Sequence, residues 1–530
     1  MSASRNRPVV RPDAAEQCCG NGRSCPPHLL YDIPHTENFS EVKPRSHILA
    51  LLLFCLCCFL PATADAEGDY WAPWVTKTTT NSATINWRGE SDGLGSIDYA
   101  TSSYYSQHQG FEKIAAAQTM STYQHVQLNE LEPNKTYIYK VRPSGSAGAF
   151  GNRSFRTMPV RGPFTFIVIS DSQEGHHYTE AQRFKLVADA IAQEKDVLFI
   201  LQGGDYARYD NESRWTAFFQ AADGMLAKSA IFPTIGNHEY HNIDNSSIIT
   251  GADHYRQAFA MPLNYSFDCA DIRFISLNSP DPNNANLDDP QTSLTLAQSQ
   301  EPWLKEQLDN TMLGTFTIHH HPIWNDGRTT IDANLEPWEN LYHAYPISAN
   351  FSGHTHDYQR FSVEGIPYFI NGNAGGPFAE LTDIKPAGYQ FGETRQLGYL
   401  KVTVNPAHNT ATAQAVFVAC VMVDDSKETP YVYDLPVIGD NVTFPLSTKF
   451  ITPIGELCPA TKVLGPDNPA LESLRTFRDS KLAQSVLGRK VIQIYYTNAD
   501  SINAALDRNP ALRALACKML EVIAPLVGKN

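Results

Sequence analysis

Between residues 164 and 404 the chain repeats one pattern: a nearly unbroken apolar run, then a short polar segment carrying an acid, an amide or an imidazole. Residues 164–170 (FTFIVIS) lead into Asp171 and Gln173, and residues 197–201 (VLFIL) lead into Gly204 and Asp205. Further runs at 272–277, 314–318, 347–351, 368–370 and 400–404 continue the series, with helical patterns expected over 179–194 and 214–228. Runs this apolar read as strands buried on both faces, and their alternation with helices predicts a layered α/β domain. In such a domain the strand ends converge on one rim, so residues distant in sequence can share one site.

What stands at that rim is chemically consistent. After Asp171, Gln173 and Asp205 come Gly236-Asn237-His238-Glu239, the triple His319-His320-His321 before Pro322, and Gly353-His354-Thr355-His356. Singly, Asp-Ser-Gln reads as a turn or cap, Gly-Asp as a turn, and three histidines as a polar loop. Together, two carboxylates, an Asn carbonyl oxygen and imidazoles make a mixed oxygen and nitrogen donor set. It suits two borderline cations such as Mn, Fe or Zn, whereas calcium wants oxygen alone. His176 and His177 read as solvated loop residues, with a place at the entrance as the alternative.

The flanks differ. Residues 70–160 read as an all-β module, with strands expected at 82–87, 96–104, 123–128 and 136–141. The spacing from Leu131 to Tyr137 predicts a tyrosine corner, the hydroxyl bonding back to the backbone at a sandwich edge. The module is similar to a fibronectin type III sandwich. Residues 471–526 are helical in pattern, with Asn509-Pro510 opening a last amphipathic helix.

Charge and cysteines bound the partners and the compartment. Lys plus Arg number 41 against 56 Asp plus Glu, a net charge of −15, which leaves no electrostatic footprint for a nucleic-acid backbone. Residues 48–60 form an apolar run too short to span a bilayer. Lys43 and Arg45 precede it and Ala64-Asp65-Ala66 follows, so it reads as a secretory signal with the mature chain starting near Glu67; an N-terminal anchor is the alternative. A polar stretch ahead of it makes Val42 a candidate initiator. The expected location is secreted, periplasmic or extracellular, with no stable membrane span after cleavage. Of ten cysteines, Cys269, Cys420, Cys458 and Cys517 lie beyond this segment. They permit two disulfides, with Cys420–Cys458 the expected pair, or else remain buried thiols. The expected organisation is 1–66 leader, 67–160 β-sandwich, 161–420 catalytic domain, and 421–530 linker and helical module.

GNHEY at 236–240, GHTHDYQR at 353–360 and the β-sandwich in front resemble a calcineurin-like metallophosphoesterase of the purple acid phosphatase branch, over roughly residues 70 to 420. The resemblance implies an α/β/β/α catalytic layer. It also implies two metal ions bridged by Asp205, with Asp171 and His356 completing one, and Asn237, His320 and His354 the other. Gln173 would approach the first metal through its amide oxygen, directly or through water. His238 would meet the substrate, and a hydroxide held by the metals would attack a small phosphate ester. Three departures stand out: Arg208 occupies the position of the family's tyrosine ligand, flanked by Tyr206 and Tyr209, Gln173 stands where many other metallophosphoesterases have a ligand histidine, and 325–343 lacks the histidine and glutamate cluster of plant-type members. Beyond it, Cys458-Pro-Ala-Thr, the stretch 474–479, Gly488-Arg and Tyr495-Tyr resemble a helical module at the ends of exported bacterial proteins. The expected activity is phosphomonoester hydrolysis, with a phosphodiesterase, or a binding protein with a vestigial metal site, as alternatives.

Overall fold

The computed structural model describes residues 70–144, 150–174, 182–240, 251–280, 290–309, 312–328, 330–424, 427–446, 459–465, 468–478, 481, 495 and 499–527. The leader, His176, His177 and Cys458 lie outside the described residues.

Seven strands come first: β1 (Trp71–Thr76), β2 (Ala83–Gly93), β3 (Ser96–Thr101), β4 (Lys113–Ala116), β5 (Ser121–Leu128), β6 (Thr136–Arg142) and β7 (Arg153–Arg156). They form a three-stranded sheet, β1-β2-β5, and a four-stranded sheet, β4-β3-β6-β7, sharing a core of Trp74, Ile85, Trp87, Ile97, Tyr139 and Val141. The Tyr137 hydroxyl accepts the backbone N–H of Glu132 at 2.8 Å, the bond expected of a tyrosine corner. One strand ends early. The extended reading of 96–104 gives way after Thr101, whose hydroxyl accepts the N–H of Tyr104 and caps helix α1 (Ser102–His108).

Residues 164–445 stack two mixed sheets. In the first, β8 (Phe164–Ile169), β9 (Val197–Gln202) and β10 (Ala230–Pro233) run parallel. In the second, β11 (Tyr265–Cys269) pairs antiparallel with β12 (Ile272–Ser276), and β12, β13 (Gly314–Ile318), β14 (Ala349–Ser352) and β16 (Ile366–Asn371) run parallel. β15 (Tyr358–Val363) and β17 (Tyr389–Glu393) close it in the order β11-β12-β13-β14-β16-β15-β17. Phenylalanines fill the space between the sheets: Phe166 of β8 meets Phe274, Phe316 and Phe351 edge-on at 5.2, 5.6 and 5.9 Å. Helices α2 (Gln182–Ile191) and α3 (Glu212–Leu226) cover the first sheet, where Phe184 stacks on Phe218. The short helix α4 (Asp253–Phe259) follows, and α5 (Pro290–Leu308) and α6 (Glu336–Ala344) cover the second sheet through Leu304, Trp338 and Tyr342. The layers are α/β/β/α.

The first sheet does not end at residue 420. β18 (Gln396–Asn405) pairs with β8 and with β19 (Thr410–Asp424), and β20 (Lys427–Pro445) pairs along nearly the whole of β19, giving the order β10-β9-β8-β18-β19-β20. The stretch expected as a linker is thus the outer strand of the first sheet. Pro430 and Pro436 are compatible with that place because an edge strand needs hydrogen bonds on one side only. Helices α7 (Pro459–Leu464), α8 (Ala470–Phe477), α9 (Ala499–Arg508) and α10 (Pro510–Val527) follow, and the Asn509 side chain caps α10 by accepting the N–H of Leu512. Cys420 is disulfide-bonded. Cys269 and Cys517 do not form the second disulfide that the count permits: Cys269 is a free thiol buried at the end of β11, and Cys517 is a free thiol on α10. Among the described residues no helix is long and apolar enough to cross a membrane.

Candidate metal centre

The parallel strands deliver their C-terminal ends to one rim. Asp171 and Gln173 follow β8, Asp205 follows β9, Asn237 and His238 follow β10, His320 follows β13, and His354 and His356 follow β14. Four of these residues sit at positive φ: Asp171 (59°), Asp205 (58°), His354 (74°) and His356 (54°). A left-handed backbone at a non-glycine residue costs on the order of 1–3 kcal/mol and collects at functional sites. The loops interlock. Asp171 N–H donates to the Gly204 carbonyl, Gly353 N–H to the His320 carbonyl, and His354 N–H to the Asp171 carboxylate at 2.9 Å. Two glycines permit this closeness: a Cβ on Gly204 would lie 2.6 Å from Gly236 N and 2.8 Å from His320 Nδ1, and one on Gly353 would fall on the Asp171 carboxylate.

Two groups of candidate ligands result, and they share one residue: Asp205 with His320 and His354, and Asp205 with Asp171 and His356. His320 Nε2 lies 3.2 Å from Asp205 Oδ2 and 2.9 Å from Asn237 Oδ1, and His354 Nδ1 lies 3.2 Å from the same amide oxygen. On the other side His356 Nε2 is 3.4 Å from Asp171 Oδ1 and 3.0 Å from Gln173 Nε2, and Gln173 Nε2 donates to Asp205 Oδ2 at 3.2 Å. All seven residues expected as ligands are brought together. His320 and His356 are aimed from behind, their Nδ1 atoms bonded to the carbonyls of Gly203 and Pro377, which leaves each Nε2 facing the cluster.

The electrostatics are those of a site built around positive charge. Burial opposes ionisation of Asp171 and Asp205, yet His320 with His356 holds the first below the usual carboxylate range, and His320 with His238 holds the second well below it. Burial would lower His320, but Asp205 and Asp171 push it up to about 10. Burial and the His320 charge push His354 down to about 4. Gln173 turns its Nε2, and not the amide oxygen expected to approach a metal, toward Asp205 and His356, and its Oε1 is buried with no hydrogen-bond partner, at a cost of about 1–3 kcal/mol. Carboxylate, amide and imidazole donors fit Mn, Fe or Zn. The residues present fit one ion on each side of Asp205.

His238 stands apart from this set. Its backbone N–H donates to Asp205 Oδ1 at 3.0 Å, its Nδ1 meets the Arg208 carbonyl at 2.7 Å, and its Nε2 lies 3.9 Å from Asp205 Oδ2 on a side chain that is 27% exposed. The other two histidines of the triple turn away from the carboxylates: His319 bonds Asn350 and the His321 carbonyl, and His321 Nδ1 meets Ser279 Oγ. Tyr206 is fully buried and stacks on Trp215 at 5.2 Å, so its ring belongs to the core, and the Tyr209 hydroxyl takes a hydrogen bond from Arg208 Nε. Glu239 carries a role that the sequence reading left unassigned. Its buried carboxylate accepts the backbone N–H groups of Asp205, Tyr206 and Gly236 at 2.8–2.9 Å, binding the β9 and β10 loops together. Burial and the Asp205 charge push it up to about 8, against the pull of those three donors. The signal available was a carboxylate at the end of a buried run with no expected ligand role.

Comparisons with known proteins agree with this geometry. The calcineurin-like phosphoesterase family matches residues 164–358, and the purple acid phosphatase N-terminal domain family matches residues 60–157. Among curated relatives, purple acid phosphatase 22 of Arabidopsis thaliana is 27% identical over 45% of this chain and 53% of its own length. Phosphoenolpyruvate phosphatase of Allium cepa is 24% identical over 46% of this chain and 52% of its own length. The chain thus spans about half the length of the curated relatives it matches. Among solved structures, PhoD superposes with a TM-score of 0.56 at 14% identity, covering 72% of this chain and 91% of that one. Purple acid phosphatase PPD1 of yellow lupin (Lupinus luteus) superposes with a TM-score of 0.54 at 15% identity, covering 71% and 74%. At these identities the structural likeness concerns the fold.

Proposed function

We propose that this chain, a calcineurin-like phosphoesterase domain behind a purple acid phosphatase N-terminal domain, is an exported hydrolase of phosphate monoesters that works with two cations of the Fe, Zn or Mn type. The observation that carries the reading is the sharing of Asp205 between two ligand groups, with His238 beside the same carboxylate. Asp171, Gln173 and His356 would hold one ion, Asn237, His320 and His354 the other, and Asp205 both. When bound, such a pair supplies a water acidic enough to attack phosphorus near neutral pH and offsets the charge of the phosphoryl oxygens.

The chain's own residues orient and protonate. With its Nδ1–H committed to the Arg208 carbonyl, His238 can take a further proton only on Nε2, the nitrogen that faces Asp205. A proton there can bond a phosphoryl oxygen or pass to the leaving alkoxide. His238→Ala is therefore expected to lower kcat about 100-fold or more with two ions per chain retained. An unchanged kcat would remove His238 from the mechanism. The disulfide at Cys420 supports export to an oxidising compartment.

The direct test is elemental analysis of the purified protein together with hydrolysis of p-nitrophenyl phosphate and bis-p-nitrophenyl phosphate. Two ions per chain and monoester turnover are expected; a diester preference would move the substrate class, and a metal-free, inactive protein after Mn, Fe or Zn is supplied would leave a binding scaffold. Chelation is expected to lower the melting temperature, since ions present at a hundredfold excess over Kd stabilise by about 2.7 kcal/mol. Calorimetry before and after chelation measures it, with recovery on adding zinc.

A further inference from the structure

The β-sandwich carries no candidate ligand, yet a continuous stack of rings runs from it to the bridging carboxylate. Trp71 on β1 stacks on Phe219 at 4.4 Å and 18°, and on Trp215 at 6.3 Å and 22°. Trp215 stacks on Tyr206 at 5.2 Å and 18°. Tyr206 directly follows Asp205, and its backbone N–H is held by Glu239. Trp71, Trp215 and Tyr206 are each at most 1% exposed, so no ring in the series can move without displacing the next.

Polar contacts fix the same surface. Trp71 Nε1 donates to Thr216 Oγ1 at 2.8 Å, and Arg88 and Arg153 of the sandwich pair with Glu212 and Asp223 on α3. The loop from Asp205 runs straight into α3, whose cap, Asn211, precedes Trp215 by one turn. The sandwich therefore grips the helix that continues the ligand loop.

We propose that the N-terminal sandwich is a positioning element for the metal-bridging carboxylate, with Trp71 as the residue through which it acts. This rests on the metal-dependent reading above. Trp71→Ala in the full-length protein is expected to weaken metal binding about tenfold and to lower kcat similarly, with KM little changed, because an outer-shell support is lost and no substrate contact is. Trp71→Phe, which keeps a ring in the stack, should restore most of both. Ile97→Ala, a cut in the sandwich core on β3, which pairs with β4 and β6, is the control: it should lower the melting temperature without moving either parameter.

Should Trp71→Ala not fold, Trp71→Leu, which fills more of the space but offers no ring to Phe219 and Trp215, is read the same way. Wild-type metal affinity and kcat in folded Trp71→Ala, or equal losses in Ile97→Ala, would overturn the proposal. Wild-type protein that binds no metal would instead overturn the reading beneath it.

Discussion

Asp205→Asn is expected to lose at least about 100-fold in kcat and to bind fewer than two ions per chain, a larger effect than removing any one supporting residue. The substitution keeps the shape of the side chain and one acceptor for the His238 N–H, so the fold should survive. What disappears is the charge that belongs to both ligand groups. Its loss also removes the main attraction that raises His320, whose imidazole would then titrate lower. Elemental analysis and p-nitrophenyl phosphate turnover on one preparation decide the matter. Two retained ions and more than about a tenth of the wild-type kcat would exclude Asp205 as the shared ligand.

For stability the largest effect is expected at Glu239. In Glu239→Ala three buried N–H donors, on Asp205, Tyr206 and Gly236, lose their acceptor at once. At about 1–3 kcal/mol for each orphaned group, and allowing for partial relaxation, the loss is about 3–6 kcal/mol. Glu239→Gln should fall between, because an amide keeps one oxygen and turns a donor toward donors. Denaturant midpoints of the metal-free forms separate this from weaker ion binding. A change below about 1 kcal/mol in Glu239→Ala would mean that the two loops hold themselves together.

The residues at the rim were readable because two independent patterns coincide there. Apolar runs buried on both faces located the strands, and each run stopped at an acid, amide or imidazole that a strand end alone does not require. Asp171, Asp205, Asn237 and the His354–His356 pair meet in the structure for that reason. Among the three adjacent histidines the resemblance singled out His320, two residues before Pro322; what aims it in the structure is the carbonyl of Gly203, 117 residues away. Glu239 escaped notice because its partners are backbone groups, which carry no mark in a sequence. β20 was read as linker, and its Pro430, Pro436 and Gly439, turn residues in isolation, are acceptable in a strand only at the sheet edge. The end of β3 was likewise hidden, since Thr101 serves a strand and a helix cap equally well.

Every carboxylate and amide of the candidate centre descends from the first sheet, by way of β8, β9 and β10, and every imidazole ligand from the second, by way of β13 and β14. Away from this rim the two sheets adhere through phenylalanine rings, the Tyr265 hydrogen bond to the Pro233 carbonyl and the Arg360–Asp440 ion pair. Ions seated at the rim would act as a latch: neither sheet could open, shift or exchange its amide hydrogens alone. Loading the centre and making the two halves of the domain open as one body would then be a single event.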